Sequence, residues 1–100
     1  MASPRVGGLS QELKPADAQV QEVCEKVRSD VENKLGQNFE EFTPVNYRTQ
    51  LVNGTNYFVK VRVGSDQYVH VRAYKSLQGD VTFAAVQENK SLEDEVEHFA

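Results

Sequence analysis

Tyr57-Phe58-Val59-Lys60-Val61-Arg62-Val63, then Gly64-Ser65-Asp66, then Tyr68-Val69-His70-Val71-Arg72-Ala73-Tyr74 decides the fold of this chain. Apolar and polar residues alternate through both runs, the spacing of a strand with one buried face. The Gly-Ser-Asp between them is turn chemistry, so the pair predicts an antiparallel hairpin. Upstream, Val45, Tyr47, Thr49 and Leu51 alternate with Asn46, Arg48 and Gln50. Asn53-Gly54 follows as a hairpin turn, since both residues tolerate positive φ. Downstream, Gln78-Gly79-Asp80 leads into Val81 to Val86. Four strands with short connections, from about Phe42 to Gln87, predict an antiparallel meander. One face carries Val59, Val61, Val63, Val69, Val71 and Ala73; the other carries Lys60, Arg62, His70 and Arg72 and is expected to face water. Pro44 cannot donate to a ladder and marks a strand start or a bulge.

The apolar face needs a cover, and Ala16 to Leu35 supplies one. Val20, Val23, Cys24, Val27, Val31 and Leu35 recur at steps of three and four, one stripe of a helix. Pro15 suits its first turn and Asp17 its positive end, while Gly36 gives a C-terminal stop. The expected architecture is α+β: one N-terminal helix packed across a four- to five-stranded antiparallel sheet. Its 100 residues form a single domain, with residues 1–15 as a flexible arm hinged at Gly7-Gly8. The tail from Glu88 is acidic, with Glu93, Asp94, Glu95 and Glu97 against Lys90. It is read as solvated surface, with contact to the basic strands as the lesser reading.

Composition removes several functions. With 11 Lys+Arg against 15 Asp+Glu, net charge −4, neither nucleic acid nor an anionic membrane is an expected partner. One cysteine, Cys24, forms no internal bridge. No run of signal-peptide or membrane-spanning length appears, and the expected compartment is the reducing cytoplasm. Cys24 lies in the apolar stripe and reads as core rather than as a nucleophile. His70 reads as a cross-strand residue on the polar face, and His98 lies near the chain end. No close-ligand spacing suggests a metal, no phosphate loop or dinucleotide motif occurs, and no cofactor is expected. The chain is not expected to be an enzyme.

Two hairpin tips remain. Leu51 and Val52 precede Asn53-Gly54, one of the two expected to face the core and the other to stay exposed. Leu77 shoulders the Gln78-Gly79-Asp80 turn. In a meander the first and third tips share one end of the sheet, which an arm bearing Val6 and Leu9 can also reach. Such a ridge suits insertion into a partner's cleft.

These residues carry a resemblance. Val6-Gly7-Gly8-Leu9-Ser10, Gln50-Leu51-Val52-Asn53-Gly54 followed by Thr55-Asn56-Tyr57, Tyr68-Val69-His70-Val71-Arg72 and Ser76-Leu77 stand in the order found in stefins. The chain from Val6 to Phe99 resembles these type 1 cystatins, inhibitors of papain-like cysteine proteases such as cathepsins. The resemblance implies a wedge: Val6 in a substrate-side pocket, Gly7 and Gly8 passing the catalytic cysteine, Gln50 to Gly54 over the cleft centre, Leu77 and Gln78 on the leaving-group side. Leu51 and Asn53 stand where stefins usually have Val and Ala, and Gln78 where many have Pro, which predicts a looser second loop. The resemblance implies a monomer, with a domain-swapped dimer and a non-inhibitory binding module on the same scaffold as alternatives.

Overall fold

The computed structural model describes residues 13–97 and 99. Strands β1 (Lys14–Pro15), β2 (Thr43–Val52), β3 (Gly54–Gly64), β4 (Gln67–Lys75) and β5 (Val81–Lys90) form one antiparallel sheet in chain order. Helix α1 (Ala18–Leu35) crosses one face of it. The expected α+β architecture is therefore the observed one, with five strands. Lys14 and Pro15, read from sequence as the end of the arm, pair with Tyr47 and Asn46 on the sheet edge.

Pro15 accordingly lies outside the helix. Asp17 is the N-cap: its carboxylate accepts from the Val20 amide at 3.0 Å and from the Tyr47 hydroxyl at 2.8 Å. Those two donors, the amide first, hold its pKa below the usual carboxylate value. One side chain thus caps α1 and fastens it to β2. At the far end Gly36 adopts φ 72°, and its N–H returns to the Glu32 carbonyl at 2.8 Å.

The helix stripe is buried from Val20 to Val31 against Tyr47, Tyr57, Val59, Val61, Val69, Val71 and Ala73. Each fully buried valine contributes roughly 1.5–3 kcal/mol. The alternation in β2 breaks at a register shift between Pro44 and Asn46. This bulge lets Pro44 and Tyr47, three residues apart, pair with Val61 and Val59 on the same face.

The second face departs from the sequence reading. It was expected to meet water, yet Lys60 and His70 are buried and Arg72 is half-buried; only Arg62 is exposed. The cover is the acidic tail. Lys60 Nζ donates to the Leu92 carbonyl, Arg48 Nε to Val96 O at 2.9 Å, and Arg72 Nη1 to Phe99 O at 3.1 Å. Phe99 meets Phe58 edge-on at 5.7 Å between centroids, Arg72 stacks over Phe58, and Val96 is buried. Phe58 supplies the apolar surface and the strand cations supply donors for tail carbonyls, so the contact is only partly one of opposite charges. Burial lowers the Lys60 ammonium pKa, and Asp94 and Glu93 offset this in part. His98 lies outside the described residues.

Candidate functional site

The ends of β2 and β4 converge at one end of the sheet. The first tip is tighter than a two-residue turn: Val52 already pairs with Gly54, leaving Asn53 alone at the apex. Gly54 alone of the two takes positive φ, at 115°. Leu51 is 79% exposed and Val52 43%. Neither faces the core, against the expectation for one of them. Gln50, by contrast, is buried, and its Oε1 accepts from Asn56 Nδ2 at 2.7 Å. It braces the loop's base from beneath rather than standing at its edge.

The second tip, 76–80, is closed by three hydrogen bonds. The Gly79 amide donates to Ser76 O at 2.9 Å, the Ser76 amide to Asp80 O at 2.8 Å, and the Asp80 amide to Ser76 Oγ at 3.1 Å. Leu77 and Gln78 occupy the exposed crest, and Leu77 is 77% exposed. These bonds restrain a loop that lacks the proline common in stefins.

The two tips are neighbours. Thr55, next to Gly54, pairs with Lys75, next to Ser76. The Tyr74 hydroxyl donates to the Asn53 carbonyl. β1 runs antiparallel to β2, with Lys14 opposite Tyr47 and Pro15 opposite Asn46, so the chain enters β1 from the side of this same end. Val6, Gly7 and Gly8 lie outside the described residues. The crest bears Leu51, Val52, Asn53, Leu77 and Gln78, none of them charged. Leu51, Val52 and Leu77 shed their water cheaply on docking, while the Asn53 and Gln78 amides need hydrogen bonds from whatever covers them.

Comparison with known proteins identifies the family. The Cystatin domain family matches residues 8–96. The chain belongs to the cystatin family. It is 42% identical to Cystatin-B of Oplegnathus fasciatus over 96 residues, covering 93% of this chain and 95% of that protein. It is 41% identical to human Cystatin-A over 96 residues, covering 93% and 97%. Cystatin-A3 of Dictyostelium discoideum is 40% identical over 93 residues, covering 93% and 98%. Membership in this stefin-like branch supports the role of a cysteine protease inhibitor and not that of an enzyme.

Cys24 is buried, and its desolvated thiol is pushed up to about 12, far from a reactive thiolate. Among the described residues no group of His, Cys, Asp and Glu is placed to hold a metal, and no helix is long and apolar enough to cross a membrane. A cavity of about 500 Å³, lined in part by Gln37, Phe39, Asp66 and Tyr68, involves the β3–β4 turn at the opposite end of the sheet from the tips.

Proposed function

We propose that this chain is a reversible, tight-binding inhibitor of papain-like cysteine proteases such as cathepsins, acting as a cytoplasmic monomer. The observation that carries the reading is the pair of tips, with Leu51, Val52 and Leu77 exposed on their crests, held side by side where the chain enters β1. A convex edge of this kind fills a cleft. In the proposed complex Gln50 to Gly54 lie over the cleft centre, with Leu51 and Val52 giving up most of their exposure. Leu77 and Gln78 take the leaving-group side, and Val6, Gly7 and Gly8 the substrate side. The tips present side chains and turn backbone, not an extended peptide laid along the catalytic groups, so the bound chain is not cleaved. A turn already ordered loses little conformational entropy on docking. The lone, buried Cys24 needs no oxidising compartment.

Inhibition of a cathepsin should be competitive with a peptide substrate, and the inhibitor should be recovered uncut by mass spectrometry. Non-competitive kinetics, or cleavage within residues 50–54, would overturn the reading. Deleting residues 1–8 should speed dissociation from papain by about tenfold or more, since an apolar anchor and its neighbours are lost. The melting temperature should stay unchanged, because among the described residues the buried core cluster begins at Val20. Equal dissociation rates for the full and shortened chains would remove any role for the arm.

A further inference from the structure

We propose that Tyr74 is the positioning residue that locks the two tips into one unit and thereby sets the lifetime of the inhibited complex. The link to lifetime rests on the inhibitory reading above. Tyr74 is the penultimate residue of β4, just before the second tip. It lies opposite Asn56, and so on the sheet face away from α1. From there its side chain reaches the first tip in two ways. The hydroxyl donates to the Asn53 carbonyl, at the one tip residue left out of the strand pairing. The end of the ring lies against Gly54: a Cβ built on that glycine would meet Tyr74 Cζ at 2.7 Å. The Lys75 carbonyl stands at 2.7 Å from the same point. The root of one tip therefore grips the apex of the other through a hydrogen bond and through contact.

The physical consequence concerns spacing. Leu51 and Leu77 sit on different hairpins, and both must seat in one cleft. Strand pairing ends at Val52↔Gly54 in the first tip and at Lys75↔Val81 in the second, where the Ser76 amide still bonds Asp80 O; none of these pairs joins the Asn53 apex to the second hairpin. Without a tie beyond those pairs, the Asn53 apex can rock, and docking must then immobilise it. A tie made in the free protein removes that cost beforehand. Pre-ordering of a binding loop changes dissociation more than encounter, so the effect is expected in how long the crest stays seated. Phenylalanine at this position would keep the ring against Gly54 and lose only the donor, so the hydroxyl can be tested by itself.

The experiment is Tyr74→Phe in the full chain, compared with the unmodified protein. Dissociation from papain should become about fivefold faster, the scale of one lost hydrogen bond, with the association rate within twofold. In the free variant, backbone 15N relaxation should show lower order at Val52, Asn53 and Gly54, while the rest of the sheet is unchanged. In the unmodified chain, the Tyr74 hydroxyl proton should exchange slowly enough to resolve a deuterium isotope shift at its ring carbon Cζ; this needs no variant. Unchanged dissociation in a folded Tyr74→Phe overturns the role in complex lifetime. A fast-exchanging hydroxyl with an unchanged tip overturns the tether itself. If the unmodified chain does not inhibit papain, the inhibitory reading fails, and the relaxation and exchange data alone decide the tether.

Discussion

Replacing Gly54 by valine should weaken inhibition of papain at least about hundredfold, combining a strained backbone with a blocked close approach. Gly54 has φ 115°, a conformation that an L side chain rarely adopts. Its would-be Cβ also meets the Lys75 carbonyl at 2.7 Å, and a strand carbonyl is not easily displaced. The substitution must therefore push the first tip away from the second, and that relation is what the proposed wedge depends on. Gly79 separates the two causes. It has φ 100° but open space where its Cβ would lie. Gly79→Ala should thus carry only the dihedral cost, about 1 kcal/mol, and weaken inhibition no more than about tenfold. Inhibition constants for the two variants provide the check. Equal losses would mean that tip spacing does not matter, and a Gly54→Val protein as potent as the unmodified one would remove the first tip from the interface.

Stability should fall by about 3 kcal/mol between pH 6.5 and pH 4, because the imidazole of the unfolded chain takes a proton over that range while the covered His70 of the folded chain stays neutral. His70 is 1% exposed, and its Nε2 has no hydrogen-bond partner among the described residues. Burial, then Lys90 of β5 and Lys60 of β3, push its pKa down from 6.5 to about 4, while Asp94 of the tail opposes them. Unfolding frees the imidazole to bind a proton near its ordinary pKa. The contribution is thus complete above pH 6.5, declines as pH falls and is exhausted near pH 4. Asp17, Glu32 and Asp94 have lowered pKa values, and their contributions are lost at more acid pH, below the usual carboxylate range. The window from 6.5 to 4 therefore belongs chiefly to His70. Urea midpoints across it should drop for the unmodified chain and stay much flatter for His70→Gln. The same slope in both would assign the acid sensitivity elsewhere.

The helix and the inner sheet face were legible because each has a period and nothing interrupts it: Val20 to Val31 at three and four, Val59 to Val63 and Val69 to Ala73 at two. β2 was harder, because a bulged strand changes face without changing composition; Pro44 signalled the bulge but not which residue it would displace. The second face was misread for a physical reason. Lys60, His70 and Arg72 look solvated in an alternating strand, and only the path of the tail shows Leu92, Val96 and Phe99 supplying their cover. Long-range contact of a short irregular segment leaves no period to read. At the tips, Asn53-Gly54 marked the turn and Leu77 the second crest. The tie between them was not legible, since Tyr74 looks like any aromatic strand residue until β4 is placed beside the first tip.

The central claim, that this crest closes the cleft of a papain-like protease, is tested most directly by titrating active papain with the full chain at micromolar concentration. The account predicts a steep, saturable loss of activity at about one inhibitor per enzyme, the stoichiometry of a tight complex, with activity returning slowly on dilution. Papain that keeps its full activity at micromolar inhibitor would contradict it.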